Sequence, residues 1–182
     1  MKNVNWNDVQ DDVRRPEPGG YAARITKVTD VVEKEYLLIE WDFADGPMKG
    51  ANKEVFDAFG YWPMAFVQSY KDSALRFFKG FKTAVEQSSP GFVFDCANPQ
   101  GLVGKFLGVV LGEEEYYSTK HSEVRKRLVV ADKRSGKAIR EGDYKVPELK
   151  KLDPSKIPTG GIYSAPAQDF AALDDDDANL PF

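Results

Sequence analysis

A mainly β chain with a single helix is what this sequence predicts, and three patterns predict it. Residues 20–29 and 35–44 alternate apolar and polar side chains, residues 72–88 repeat apolar side chains at helical spacing, and alternation returns after residue 101. With 182 residues, 42% of them hydrophobic and 13% aromatic, the chain can bury one good core, and its length favours one body over two.

Residues 1–19 are polar, carry Arg14, Arg15, Pro16 and Pro18, and read as a loosely packed arm. In 20–29, Tyr21, Ala23 and Ile25 share one face, with Arg24 and Thr26 on the other. After a short polar turn, 35–44 place Leu37, Ile39, Trp41 and Phe43 together, which makes Trp41 a core residue rather than a ligand platform. Asp45-Gly46-Pro47 ends that strand, and 52–59 read as a third. Beyond it, Gly60 permits a turn and Pro63 disfavours regular structure at Trp62, so Tyr61 and Trp62 are expected to project from a loop.

The helical stripe in 72–88 is Ala74, Leu75, Phe77, Phe78, Phe81, Ala84 and Val85, started by Ser69 or Asp72 and stopped at Ser88-Ser89-Pro90-Gly91. Phe77, Phe78 and Phe81 are expected to plug the bottom of a sheet or barrel. Residues 101–112 return to strand, with Gly104 and Gly108 easing its coil. A loop holding Tyr116 and Tyr117 is expected next, then a strand over 123–131 with Val124, Leu128 and Val130 inward and Arg125 and Arg127 outward. Residues 134–137 make a turn, 143–152 are extended, and Pro154, Pro158, Gly160, Gly161 and Pro166 mark a linker.

Three strands, a helix and two strands is the order of the OB-fold, a five-stranded barrel with its helix between the third and fourth strands, whose strand face and loops hold oligonucleotides. A generic α+β sandwich is the rival. The expected organisation is an arm at 1–19, the barrel at 20–153, a flexible linker at 154–173 and an acidic tail at 174–182.

That tail reads DDDDANLPF. Asp174, Asp175, Asp176 and Asp177 repel one another and have no apolar face, so they stay solvated and the tail is expected to be disordered. Leu180, Pro181 and Phe182 follow, and a terminal phenylalanine offers a ring and a carboxylate on one residue to a pocket with an apolar floor and a basic rim. A solubilising end is the plain alternative. The ending resembles that of the single-stranded DNA-binding proteins of bacteria and their phages, which finish in aspartates, an apolar residue, proline and phenylalanine. Ala178 and Asn179 between the acids and the tip, and leucine for the usual isoleucine, are departures. The resemblance covers about nine residues; it implies an OB-fold body and a tail that recruits replication and repair proteins.

The formal charge of −4 divides unevenly. Five acids and no Lys or Arg lie in 164–182, which leaves the body close to neutral, while 120–140 concentrate Lys120, Arg125, Lys126, Arg127, Lys133, Arg134, Lys137 and Arg140 against Glu123 and Asp132. A local patch of that kind is what a phosphate backbone senses. Binding single strands without sequence preference needs such cations with aromatic faces for stacking. The phosphate candidates are Lys105, Lys120, Arg125, Arg127, Lys133, Arg134 and Lys137; the stacking candidates are Tyr61, Trp62, Tyr116 and Tyr117, each with the alternative role of loop anchor.

Enzyme signatures are missing: no Walker loop, HExxH, CxxC, GxSxG or dinucleotide fingerprint occurs. With Cys96 and His121 each alone of its kind, neither a metal site nor a cofactor is expected, and a carboxylate nuclease is disfavoured. No run approaches the roughly 18 apolar residues of a membrane span. A cytoplasmic location, in a bacterial host if the resemblance holds, is the expectation, with self-association left open. Two function classes remain: a single-stranded DNA-binding protein, or an adaptor or inhibitor that presents a mimic tail to replication proteins without holding DNA.

Overall fold

A computed structural model describes residues 14–157. The arm up to residue 13, the linker from 158 and the tail, with Asp174, Asp175, Asp176, Asp177, Leu180, Pro181 and Phe182, lie outside the described residues. Five antiparallel strands form one sheet in the order β3-β2-β1-β4-β5. They are β1 (Gly19–Val31), β2 (Tyr36–Phe43), β3 (Ala65–Ser69), β4 (Phe106–Ser118) and β5 (Glu123–Arg134). Among the described residues three α-helices accompany them: α1 (Ala51–Phe59) between β2 and β3, α2 (Leu75–Ser88) between β3 and β4, and α3 (Gly136–Glu141) after β5.

The alternation of β1 and β2 sends Ala23, Ile25, Ile39, Trp41 and Phe43 into one core with Leu107, Val109 and Leu111 of β4. Trp41 is fully buried, packed edge-on against Phe43 at 4.9 Å between ring centroids. From the other side α2 contributes Phe81, Ala84 and Val85, and Phe78 packs against this core. Phe81 meets Phe66 of β3 edge-on at 6.0 Å. Phe77 does not join them. It is 71% exposed, because a stripe drawn from Ala74 to Val85 is wider than the face α2 buries.

Several expected elements are revised. Residues 51–59 are helix, not a third strand: Ala51, Asn52 and Val55 are buried at helical spacing, and Gly60, at φ 80°, closes the last turn by donating its N–H to the Phe56 carbonyl. The third strand is β3. Residues 99–102 make a tight 3-10 turn, so β4 begins only at Phe106, and it continues through Glu113–Glu115 and both tyrosines, which therefore are not in a loop. Opposite charges on β5 make that acidic run a strand: Glu114 faces Arg127 and Glu115 faces Lys126. Val124, expected inward, is half-exposed, because this end of the hairpin reaches past the core. Residues 136–141 form α3, capped by the Ser135 hydroxyl, which accepts from the Ala138 N–H at 3.2 Å.

Gly108 is not a relief of coil. A Cβ there would lie 2.3 Å from Ile139 of α3, just as one at Gly112 would meet Pro147 and one at Gly20 would strike the Tyr144 ring. Helix α3 thus covers Gly108, and the segment after it lies across Gly20 and Gly112 as a strap. It then pairs with β4 beyond the end of β1: the Glu115 N–H donates to the Lys150 carbonyl at 2.8 Å, and the Lys150 N–H to the Glu113 carbonyl at 3.0 Å.

The five-stranded barrel is shown only as a sheet. No ladder joins β3 to β5; the two edges approach where the Lys133 ammonium lies 5.2 Å from the Phe66 ring centre.

Candidate nucleic-acid interface

The groove that best matches a polyanion runs over the outer face of β1 and β2. Register places Arg24 opposite Asp42 on one side and Phe106 on the other, so these three cross the sheet in a row. Lys49, Lys53 and Trp62 complete the wall, around a volume of about 510 Å³. Arg24 and Lys49 stand here against Asp42, while Lys53 is matched by Asp57 at 2.7 Å. A second hollow, of about 580 Å³, sets Arg134 of β5 and Lys145 against Asp132 and Asp143, so it is balanced in charge and offers a polyanion little.

Backbone of β2 positions the first groove's wall. The Trp41 carbonyl accepts from Asn52 Nδ2 at 2.8 Å and from Trp62 Nε1 at 2.9 Å, tying both ends of the α1 segment to one point. Asp42 Oδ1 accepts from the N–H groups of Phe43 and Asn52, at 2.8 and 3.0 Å, which spends much of its acceptor capacity inside the protein. Arg14 braces the segment from outside by pairing with Glu54 and donating to the Pro47 and Lys49 carbonyls, and the hydrogen bond to Glu54 raises its pKa further. Arg24 and Lys49 have no ion-pair partner among the described residues, so their charges face the groove.

The sequence-chosen residues divide among several places. Trp62 lies in the groove, but half-buried with its N–H tied, and its ring stands 5.7 Å from Phe56. Tyr61 follows the helix and packs 6.3 Å from Phe59. Lys105 sits 4.9 Å over the Phe92 ring. Tyr116 and Tyr117 lie on opposite faces of the β4–β5 hairpin, where Tyr116 faces Arg125 across the ladder and Arg127 covers its ring at 5.1 Å. Lys120 is exposed in the turn joining the two strands. From Phe106 to Tyr116 is ten residues of continuous strand, about 33 Å along β4. Groove and hairpin are separate surfaces.

Charge pairing weakens the hairpin patch. Arg125 pairs with Glu123 at 2.9 Å, Arg127 with Glu114 at 2.8 Å, Arg134 with Asp132 at 2.7 Å and Lys137 with Glu141 at 3.7 Å. Burial alone would push the Glu114 carboxyl up, but the hydrogen bonds and charges of Arg127 and Lys150 hold it below its ordinary value. Lys133 turns inward. A bulge at Val110/Leu111 skips Ala131, so the side chain that would share a face with Arg127 instead joins Val109 and Phe66, where burial pulls its pKa down.

Arg24, Lys49, Lys53 and Phe106 were not among the sequence choices. Arg24 was legible as the outward residue of an alternating strand. Lys53 was hidden by the reading of 52–59 as strand, and Lys49 by its place in the turn that leads into α1. Among the described residues no group of three His, Cys, Asp or Glu could hold a metal ion, and no helix is long and apolar enough to cross a membrane. No family model matches the chain, and no curated protein matches it.

Proposed function

We propose that this chain is a single-stranded DNA-binding protein, without enzyme activity or cofactor, that coats DNA with little sequence preference during replication and recombination in a phage-infected bacterial cytoplasm. The observation that carries the reading is the β1–β2 groove, where Arg24 and Lys49, unpaired among the described residues, outnumber Asp42 beside Trp62 and Phe106. Cations for phosphates next to flat apolar rings are what unspecific single-strand binding uses. The strand arrangement supports it. A central β1 pairs with both β2 and β4, a helix follows β3, and the edges of β3 and β5 approach at Phe66 and Lys133, an order that agrees with the proposed OB-type body. Recruitment of replication proteins through Asp174 to Phe182 rests on the sequence of that ending.

The adaptor reading has one observation in its favour: Arg125, Arg127, Arg134 and Lys137 already spend their charges on neighbouring carboxylates. Fluorescence titration with oligo-dT at two salt concentrations separates the two. Tight binding that weakens steeply with salt is expected of the first; no binding by a folded chain that still captures a replication protein through its tail would establish the second.

A further inference from the structure

The apolar stripe of α1 is longer than the body beneath it. Ala51, Asn52 and Val55 are buried, whereas Phe56 and Phe59, which continue the same stripe at helical spacing, are 46% and 47% exposed. Large exposed rings side by side call for an explanation. Phe56 stands 5.7 Å from Trp62, itself part of the groove wall, and Phe59 stands 6.3 Å from Tyr61. Lys53, one turn before Phe56, faces the groove as well. Aromatic surface therefore runs on from the groove and over the end of α1.

Resting on the DNA-binding reading, we infer that a bound single strand leaves the groove across α1 and stacks bases on Phe56 and Phe59. Charge favours this occupant. The acids of α1 are already matched, Glu54 by Arg14 and Asp57 by Lys53 at 2.7 Å, so the helix adds rings to the path without repelling phosphates. A second copy of the chain is the less suitable occupant. Two phenylalanines bury about 150–250 Å² each, well short of the roughly 800 Å² per partner of a stable interface.

The test compares wild type with Phe56→Ala/Phe59→Ala and Phe56→Leu/Phe59→Leu on oligo-dT of about four and about sixteen nucleotides, lengths that bracket known site sizes. The short strand fills the groove alone and is expected to bind all three proteins equally. On the long strand both variants are expected to lose about five- to a hundred-and-fiftyfold per lost ring, since leucine keeps the apolar volume without the flat face. Thermal melts check the fold, and the leucine pair answers if the alanine pair melts early. Wild type that binds neither length overturns the DNA-binding reading itself. Wild type that binds both, with variants that match it on the long strand, weaken equally on both lengths, or recover fully with leucine, overturns only the path over α1. Sedimentation that finds a dimer broken by the alanine pair, with DNA affinity unchanged, assigns the face to self-association instead.

Discussion

Replacing Lys133 by methionine should stabilise the protein and leave its DNA affinity alone. The Lys133 side chain shares a face of β5 with its ladder partner Val109 and lies over Phe66, and the ammonium has no hydrogen bond or ion pair among the described residues. Methionine keeps an unbranched apolar stem in that seam and removes the desolvated charge. Exchanging buried ionic groups for apolar ones of similar size gains up to about 1–4 kcal/mol, against a lost cation–π contact of about 0.5–2 kcal/mol. The difference is about 1 kcal/mol, or about 2–4 °C in Tm for a chain of this size. The sign with pH follows from linkage. Because the native pKa lies below the ordinary 10.5, the unfolded chain holds more protons between the two values, and wild-type stability gains a contribution as pH rises through that window. Methionine has no such gain, so its advantage is largest near neutrality and shrinks toward pH 10.5. Urea denaturation of both proteins across the alkaline range measures this. A variant less stable than wild type at neutral pH, or an advantage that does not shrink with pH, would refute the inward placement, and a clear loss of oligo-dT affinity would return Lys133 to the DNA surface.

Arg24→Ala with Lys49→Ala should lower the slope of log affinity against log salt by about 1.4, from about 0.7 per phosphate contact, whereas Arg125→Ala with Arg127→Ala, already matched by Glu123 and Glu114, should change it less; an unchanged groove slope removes the groove. Trp41→Ala should cost about 3–5 kcal/mol of stability, measured by denaturant, while Trp62→Ala should cost about 1–3 kcal/mol of DNA binding with a smaller stability loss from its bond to the Trp41 carbonyl. Glu114→Gln should flatten the acid limb of the stability curve: the native pKa lies below 4.5, so the contribution of Glu114 is complete above that value and is lost as pH falls through the native one. Removing 171–182 should strengthen DNA binding most at low salt, and deleting Phe182 alone should abolish capture of a replication protein without changing DNA affinity, as pull-down and titration together would read.

What could be read in advance depended on whether one physical rule acted alone. In β1 and β2 alternation was the only pattern, and Ile25 and Trp41 fell where it put them. In 51–59 the buried residues are Ala51, Asn52 and Val55, one of them polar, so the helical stripe was masked. The run Glu113 to Glu115 looked like a solvated loop because its counter-charges lie on another strand, invisible to local pattern. Lys133 was chosen for its place in a basic cluster beyond the expected strand of 123–131, and the bulge that turns it toward Val109 shows only in the ladder with β4. The groove was the least legible feature. Its residues come from β1, the entry to α1, the loop after it and the start of β4, and only the register of Arg24 with Asp42 and Phe106 brings them together.

The strap over Gly20 and Gly112 decides where this protein can be cut. A chain ended before Tyr144 would lose more than its acidic ending: the Tyr144 ring and Pro147 would leave the glycines bare, and β4 beyond Leu111 would show open amide and carbonyl groups where Lys150 now pairs. A naked strand edge of that kind invites other chains to add to it. The boundary between body and appendage therefore falls after Leu152, whose N–H is still held by Glu115 at 3.1 Å, and a tail deletion read as a change in partner binding is interpretable only if it begins beyond that hydrogen bond.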